Sequence, residues 1–381
     1  MDFGWTEEQV KLREEARAYA AAALGDHTAQ DDEEGRFPRE KWDRLASWGL
    51  LGLTVPEELG GAGLDPMTGL LVTEGLAEGC PDTGLMFSAV VQAWVIIPTF
   101  LRFATTEQRE RHLPGLIDGS VIAALAITEP DSGSDAFAMR TSAERADGGW
   151  RLRGSKTWIT NAPVADLAIC FARTGAGVAL GGVSAFLLET VRDGVSLSAP
   201  IATQGLRTAP LGDVGLDDVL VPESDMLGAP GSGLAVFNEA MEWERSYVMA
   251  VYLGMLERQL AKACAYARQR HAFGGPISKL APVAEKLVDM RLRLDTARLL
   301  LYRACWSKAQ GRSALGNSSM AKLWVAECAV ANSLDAIQVH GALGYASEAG
   351  VERDLRDAVG ARIHSGTSEL QKVMIARSMN L

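Results

Sequence analysis

The chain has 381 residues, of which 48% are hydrophobic and 22% charged, a balance typical of a globular protein with room for two or three domains. A formal net charge of −11 and a pI of about 5.1 argue against nucleic-acid binding and against a polybasic membrane surface. The 5 cysteines form no C-x-x-C pair, and the 5 histidines show no metal-ligand spacing. We therefore expect free thiols in a reducing cytoplasm and no metal site.

Residues 1–123 carry the pattern of an N-terminal helical domain. The chain begins with an acidic amphipathic stretch rather than a signal peptide. Its longest apolar runs, such as 90–103, are interrupted and too short to span a bilayer. The apolar spacing predicts helices over 7–24, 38–48, 67–79, 85–103 and 106–117.

Residues 124–232 change to the two-residue alternation and short apolar runs of β-strands. Gly, Pro, Asp and Asn separate these runs, which indicates a central antiparallel β-domain. The predicted strands cover 150–154, 157–160, 165–172, 183–189 and 195–198.

Residues 233–381 return to helical periodicity with few prolines, as expected for long packed helices. The pattern predicts helices over 234–271, 281–311, 316–340 and 367–378. We therefore predict an α+β fold: an N-terminal helical domain (1–123), a central antiparallel β-domain (124–232) and a C-terminal helical bundle (233–381).

Glu244 is the one charge on an otherwise apolar helix face. That face repeats at three- and four-residue spacing through Leu234, Phe237, Met241, Glu244, Val248, Val251 and Met255. An ionised carboxylate there is costly unless it is paired, and burial raises its pKa toward the range of a general base. Two interpretations stand: a structural glutamate paired with an arginine, or a catalytic base.

Short motifs rich in glycine and polar residues follow one another along the chain. They are AITEPDSGSD at 126–135, KTWITN at 156–161, RHAFG at 270–274, QVHG at 338–341 and IHSGTSE at 363–369. Backbone amides at a tight turn such as the first motif suit a phosphate or the polar edge of a cofactor. As a set, in this order and spacing, the motifs resemble the acyl-CoA dehydrogenase family over essentially the whole chain.

The resemblance implies an FAD enzyme with a C-terminal four-helix domain, assembled as a homotetramer. In that family a carboxylate removes the α-proton of an acyl thioester, and the β-hydride passes to flavin N5. The implied contacts to the flavin ring are Ile127, Thr128, Gly133, Ser134, Trp158 and Thr160. The resemblance implies that Arg270 and Phe273 reach the FAD of a neighbouring subunit. It implies adenine-side and diphosphate contacts for Gln338, Gly341 and Thr367.

Three departures from the family pattern stand out: Leu280-Ala281, Ala342 and, most important, Ser365. Most members read Ile-Tyr-Glu-Gly-Thr in the last motif, with that glutamate as the base, whereas this chain has Ser365 and shows no partner base beside it. Either dehydrogenation is lost or the base lies elsewhere. The isovaleryl-CoA type carries its glutamate on the preceding long helix before an arginine, and Glu244-Arg245 occupies that position. The resemblance therefore implies Glu244 as the base and the backbone N–H of Ser365 as a donor to the thioester carbonyl.

A narrower resemblance is to enzymes that oxidise prolyl groups held on peptidyl carrier proteins to pyrrole-2-carboxyl groups. It rests on NAPVAD at 161–166, MEWER at 241–245, LGMLERQL at 253–260, ARLLLYRACW at 297–306 and HSGTSE at 364–369. It implies a pocket for a small ring at Trp243, Arg245 and Tyr247. Packing in the core is the alternative for Trp243.

Three functions stay open on the sequence. The first is an FAD-dependent dehydrogenase for a prolyl or related acyl group on the phosphopantetheine of a carrier protein, with an electron-transfer flavoprotein or oxygen as acceptor. The second is an acyl-CoA dehydrogenase for short or branched chains, and the third is a non-catalytic flavin-binding homologue. Docking of an acidic carrier protein needs a basic patch. The candidates are Arg291, Arg293, Arg298 and Arg303, for which a solvated face or a subunit interface is the alternative.

Overall fold

The computed structural model of the protein describes residues 4–175, 182–312 and 315–381. Its first region is helical, and local capping explains where helices begin: Thr6 with Gln9, and Thr105 with Gln108, form capping boxes. The helices are α1 (Glu7–Ala23), α2 (Thr28–Glu34), α3 (Arg39–Trp48), α4 (Pro66–Gly79), α5 (Thr83–Val91), α6 (Ile97–Phe103) and α7 (Thr106–Asp118). The predicted helices of this region are confirmed to within a few residues at their ends.

The short acidic helix α2 is an element that the sequence pattern does not predict. Its sequence, TAQDDEE, has no apolar periodicity. Charge pairs with distant residues hold it instead: Asp31 lies 2.8 Å from Lys41 Nζ, and Asp32 lies 2.7 Å from Arg356. Such pairs leave no local signal in the sequence.

The apolar segment Thr83–Phe103 comprises α5, a π-helical stretch at Gln92–Ile96 and α6. By length and composition it is able to cross a membrane, with a mean hydropathy of 1.8. In the folded chain, however, 89% of its most apolar stretch is buried inside the protein. The segment is therefore part of the helical core.

The central region forms a mixed sheet in which antiparallel pairs predominate. Its strands are β1 (Ala123–Ala126), β2 (Ser142–Ala146), β3 (Gly149–Thr160), β4 (Leu167–Arg173), β5 (Val183–Glu189), β6 (Val195–Leu197), β7 (Leu211–Pro222) and β8 (Met226–Leu227). The strand order is β6-β7-β3-β2-β4-β5-β8, and β1 pairs in parallel with β4. The pattern misses β7 because its glycines and aspartates are typical of turns, although β7 forms a long ladder with β3.

The two faces of this sheet pack against different cores. Phe171 and Leu187 belong to one continuous core with the helices of both other regions. Trp150, Leu152 and Phe186 belong to a second core on the opposite face. Among the described residues, the apolar packing of the sheet against the helical body therefore lies on one face.

The C-terminal region contains the long helices of the predicted bundle. The elements are α8 (Gly233–Glu244), α9 (Ala250–Gln269), the hairpin β9 (His271–Ala272) and β10 (Gly275–Pro276), α10 (Ala281–Ala309), α11 (Leu315–His340), α12 (Ala342–Tyr345), α13 (Val351–Ala361) and α14 (Ser368–Ser378). Helix α11 packs against α9, α10, α13 and α14. The α+β fold with a C-terminal helical bundle is confirmed.

The continuous helix predicted over 234–271 is wrong, because the chain breaks after α8. Ser246 leaves helical geometry, with φ −114° and ψ −81°, and its hydroxyl donates to the Glu242 carbonyl. A 3₁₀ turn at Tyr247–Met249 then leads into α9. Glu244 is consequently the last residue of a helix rather than a position in its middle.

Helix α8 packs directly against the sheet. Phe237 contacts Phe137 and Phe171, with ring centroids 5.1 and 6.4 Å apart. At the start of α8, a Cβ on Gly233 would lie 2.6 Å from the Val183 carbonyl, so glycine permits the close approach. This packing connects the end of α8 to the region that contains the first two motifs.

Candidate active site

The Glu244 carboxylate faces the loop between α13 and α14. Its Oε1 accepts a 2.9 Å hydrogen bond from the Ser365 hydroxyl, and it forms no ion pair with any described residue. Burial raises the pKa of Glu244, against the opposing effects of the Ser365 hydrogen bond and the charges of Arg245 and Lys322. The C-terminus of a helix adds negative potential that acts in the same direction as burial. These features favour a general base over the structural glutamate–arginine pair.

The loop that faces this carboxylate is held in a left-handed backbone conformation. Ser365 has a φ of 59° and Gly366 a φ of 87°. Arg245 Nε and Gln371 Nε2 donate to the Ser365 carbonyl at 3.3 and 3.1 Å. Lys322 Nζ donates to the Gly366 carbonyl at 2.6 Å. Among the described residues the backbone N–H of Ser365 makes no hydrogen bond, so it is available as a donor to a ligand.

The expectation that Ser365 has no partner base beside it is wrong. Besides Glu244, its hydroxyl lies 2.8 Å from His364 Nδ1, and His364 Nε2 lies 2.8 Å from the Tyr252 hydroxyl. Burial lowers the pKa of His364 to about 3, so the imidazole is neutral. The sequence motif contains His364 but indicates no role for it. Tyr252 could not be predicted as its partner, because it lies 112 residues away in the chain.

An aromatic stack lies behind the end of α8. Tyr247 packs between Trp243 and Trp94, with ring centroids at 4.7 and 4.4 Å. Trp243 remains partly exposed, whereas Tyr247 is fully buried and donates its hydroxyl to the Cys305 carbonyl at 3.0 Å. Of the three predicted pocket residues, Arg245 is bound to the loop and Tyr247 supports Trp243. The Trp243 indole donates to Glu239 at 2.7 Å, and Lys308 Nζ lies 4.7 Å from its ring centre. Their contact with a substrate stays a prediction.

The first motif folds into a turn fixed by a buried ion pair that the sequence did not reveal. Lys156 Nζ lies 2.8 Å from Glu129 and 3.1 Å from the Ile127 carbonyl. The Glu129 carboxylate also accepts two backbone N–H groups. The turn leaves Gly133 and Ser134 exposed at its tip, and a Cβ on Gly133 would meet nothing within 4 Å.

Trp158 projects from β3 at a β-bulge. The β3–β7 register shifts between Lys156 and Ile159, Trp158 has a φ of 57°, and 58% of it is exposed. The backbone N–H of Thr157 donates to the Thr128 carbonyl at 2.9 Å, which fixes the first motif beside the Trp158 indole. The hydroxyls of Thr128 and Thr160 make no hydrogen bond with described residues. An exposed indole flanked by unused hydroxyls fits a planar ring with polar edges, such as a flavin.

The remaining predicted cofactor residues lie apart from this turn. Arg270 directly follows α9, and its side chain has no partner among the described residues. Phe273 lies in the turn of the β9–β10 hairpin and is 95% exposed. Tyr266 stacks on His340 with ring centroids 4.5 Å apart, which brings this hairpin to the end of α11 that carries Gln338 and Gly341. The last predicted contact, Thr367, caps α14 through the Leu370 N–H at 3.2 Å.

The arginines suggested for carrier docking do not form a free basic patch. Arg298 contacts Glu74 and Glu257, both at 2.7 Å. Arg293 contacts Asp335 at 2.7 Å, and Arg291 contacts Asp295 at 2.7 Å. Acidic side chains thus neutralise this surface. Among the described residues, the fourth arginine, Arg303, has the sulfur of Met320 as its one side-chain partner.

Comparison with known proteins agrees with this geometry. An exposed indole that suits a flavin, and a carboxylate that forms no ion pair with a described residue, fit an FAD-dependent oxidoreductase. Family models for the acyl-CoA dehydrogenase N-terminal, middle and C-terminal domains match residues 6–120, 124–219 and 231–380. The chain therefore belongs to the acyl-CoA dehydrogenase family.

Individual relatives match over nearly the full length. The chain is 38% identical to L-prolyl-[peptidyl-carrier protein] dehydrogenase of Pseudomonas fluorescens, covering 100% of both chains. It is 36% identical to the mitochondrial short-chain specific acyl-CoA dehydrogenase of Rattus norvegicus, covering 96% of this chain and 88% of the relative. Among solved structures, the prolyl acyl carrier protein oxidase AnaB matches with a TM-score of 0.97 at 38% identity, over 99% of this chain and 100% of AnaB. PigA with FAD and proline matches with a TM-score of 0.97 at 35% identity over 100% of both chains.

Proposed function

We propose that the protein oxidises an L-prolyl group, held as a thioester on the phosphopantetheine of a peptidyl carrier protein, to the pyrrole-2-carboxyl thioester. The full-length similarity to a prolyl-carrier dehydrogenase and to AnaB supports this substrate. The observation that carries the proposal is the Glu244 carboxylate, which has no ion pair with a described residue and lies 2.9 Å from Ser365 Oγ. Glu244 supplies the base, because Ser365 has no carboxylate.

Glu244 removes the α-proton of the prolyl thioester. Its pKa is raised by burial, so the carboxylate binds that proton more strongly than an exposed glutamate does. The backbone N–H of Ser365 donates to the thioester carbonyl and stabilises the negative charge that develops on its oxygen. Arg245 and Lys322 hold the two loop carbonyls and place positive charge close to that oxygen.

The hydride acceptor of the site would be supplied by bound FAD. We assign the exposed turn and bulge to its isoalloxazine, through Ile127, Thr128, Gly133, Ser134, Trp158 and Thr160. We assign Arg270 and Phe273 to the FAD of a neighbouring subunit in a homotetramer. We assign Gln338, Gly341 and Thr367 to the adenine side and the diphosphate of FAD. A guanidinium without a described partner, such as that of Arg270, suits the diphosphate.

Two successive oxidations convert the saturated ring to a pyrrole, with four hydrogen atoms removed in all. Aromaticity makes the second oxidation effectively irreversible. Trp243 forms an apolar wall for the ring, Tyr247 supports that wall, and Arg245 holds the loop at its edge. Each oxidation leaves an electron pair, which we assign to an electron-transfer flavoprotein or to oxygen. We place the protein in the cytoplasm, where its 5 free cysteines stay reduced.

A second candidate is a short- or branched-chain acyl-CoA dehydrogenase that uses the same base. The 36% identity to the rat short-chain enzyme favours it. The neutralised arginines on α10 also remove one surface on which an acidic carrier protein was expected to dock.

Anaerobic mixing of the FAD-bound protein with candidate substrates separates these functions. The substrates are L-prolyl-loaded carrier protein, butyryl-CoA and isovaleryl-CoA, with the unloaded phosphopantetheinyl carrier and free L-proline as controls. The proposal predicts rapid loss of flavin absorbance with the L-prolyl carrier alone. Saturable bleaching by an acyl-CoA, with no response to the prolyl carrier, contradicts it and supports the second candidate.

A further inference from the structure

A chain of three hydrogen bonds links the Glu244 carboxylate to the interior of the protein. Ser365 Oγ lies 2.9 Å from Glu244 Oε1, and His364 Nδ1 lies 2.8 Å from the same Oγ. His364 Nε2 in turn lies 2.8 Å from the Tyr252 hydroxyl. The chain crosses from α8 through the loop before α14 to α9.

The chemistry of the four groups gives this chain one direction. An ionised carboxylate only accepts, so the Ser365 hydroxyl donates its proton to Glu244. The lone pair of Ser365 then accepts from His364, whose proton therefore resides on Nδ1. The remaining nitrogen, Nε2, accepts from the Tyr252 hydroxyl. Burial lowers the pKa of His364 and raises that of Tyr252, so both groups stay neutral and the chain adds no charge to the site.

The imidazole is held rigidly in the orientation that this direction requires. Its ring packs against Phe87, with centroids 4.6 Å apart, and stacks on the ring of Tyr252 at 5.7 Å. The backbone N–H of His364 donates to the Gly360 carbonyl at 3.1 Å. A fixed imidazole fixes the rotation of the Ser365 hydroxyl, which is otherwise free to turn.

The far end of the chain is closed. Tyr252 is fully buried, so no proton passes from Glu244 to solvent along this path. The near end leaves one carboxylate oxygen unengaged, because Glu244 Oε2 makes no hydrogen bond with any described residue. The chain therefore serves to orient Oε1 and to leave Oε2 for the substrate.

We propose that Ser365, His364 and Tyr252 act as positioning residues that hold Glu244 for α-proton removal, so that serine at position 365 retains a side-chain role. This inference rests on the proposed function, in which Glu244 is the base. It assigns to Ser365 an orienting hydroxyl in addition to the backbone N–H, and it makes the two neutral partners necessary for full activity.

The test compares His364→Phe, His364→Asn and Tyr252→Phe in the FAD-bound protein. Phenylalanine keeps the ring packing but removes the donor, whereas the asparagine amide reaches the position of Nδ1 and keeps it. We measure the rate of flavin reduction by L-prolyl carrier protein across pH, with FAD content and melting temperature as checks on folding. Ser365→Ala removes the hydrogen bond at Glu244 itself.

The proposal predicts a fall of about ten- to a hundredfold in the reduction rate for His364→Phe and substantial rescue by His364→Asn. The hydrogen bond from Ser365 lowers the pKa of Glu244, so its weakening shifts the rate profile of His364→Phe and Ser365→Ala to higher pH. All variants keep the other charged and titratable groups that face this chain, namely Arg245, Glu242, Lys322 and Asp357. A shift relative to wild type therefore reports the hydrogen-bond chain.

Wild-type rates and an unchanged pH profile in folded, FAD-bound His364→Phe and Ser365→Ala overturn the proposal. If His364→Phe does not fold, an equal loss of rate in His364→Asn and Ser365→Ala without a pH shift also overturns it. A different result would show that the proposed function is wrong: flavin in Glu244→Gln would then be reduced as fast as flavin in wild type. If the prolyl carrier does not reduce the flavin of wild type, butyryl-CoA replaces it as the substrate that tests the same base.

Discussion

Replacement of Glu244 by glutamine tests the base with the least disturbance to the site. Glutamine has the size of glutamate and retains an oxygen that accepts the 2.9 Å hydrogen bond from Ser365, but it loses the basicity and the negative charge of the carboxylate. General bases contribute about 10²–10⁴-fold to rates. The nearby charged groups, Arg245 and Lys322, are occupied with loop carbonyls, so we expect a loss toward the upper end, about 10⁴-fold or roughly 5 kcal/mol.

The assay is single-turnover reduction of bound FAD by L-prolyl carrier protein. The matched control is Glu242→Gln, two residues earlier on α8, where the carboxylate pairs with Lys308 at 3.1 Å. We expect the control to reduce flavin at nearly the wild-type rate, and both variants to retain FAD. In wild type the rate rises with pH through the raised pKa of Glu244, since only the ionised form accepts the proton. Undiminished reduction in Glu244→Gln refutes the assignment.

Two further predictions concern the cofactor and the fold. We expect Arg270→Ala to weaken FAD binding by about tenfold to a hundredfold, the contribution of a charge-assisted hydrogen bond. An equilibrium titration with FAD measures this, with Arg268→Ala at an exposed position as the control. Equal FAD affinities of the two variants would show that Arg270 does not contact the cofactor. Burial raises the pKa of Asp357 from 3.8 to about 7, so the unfolded chain loses that proton first and the free energy of unfolding falls as pH rises between these values. Asp357→Asn still accepts a hydrogen bond from the Leu206 N–H but cannot lose a proton. Urea titrations should show that the difference in free energy of unfolding, variant minus wild type, grows by up to roughly 4 kcal/mol between pH 4 and pH 8. A constant difference at both pH values would contradict this.

Periodicity was sufficient to predict most helices and the position of Glu244 on a protein-facing surface. It could not predict the break at Ser246, because a continuous helix and two helices share the same apolar spacing. The break matters chemically, since it places Glu244 at a helix end opposite the Ser365 loop. Tertiary packing rather than local propensity decides this geometry.

Side-chain networks between distant segments were beyond the reach of the sequence. The partners of Ser365 include its neighbour His364, yet the role of that imidazole depends on Tyr252 in another helix. The same limit applies to the arginines suggested for docking: Arg298 stands out on α10, but its partner Glu74 lies 224 residues away. Motif resemblance indicates candidate cofactor contacts and overlooks the residues that would orient them.

The most direct test of the proposed function is the mass of an L-prolyl-loaded carrier protein after incubation with the FAD-bound enzyme and oxygen. We expect the loaded carrier to lose four hydrogen atoms with the wild-type enzyme and to stay unchanged with Glu244→Gln. Loss of two hydrogen atoms without further conversion would contradict the pyrrole product. An unchanged carrier, together with turnover of a short acyl-CoA, would contradict the carrier-bound prolyl substrate.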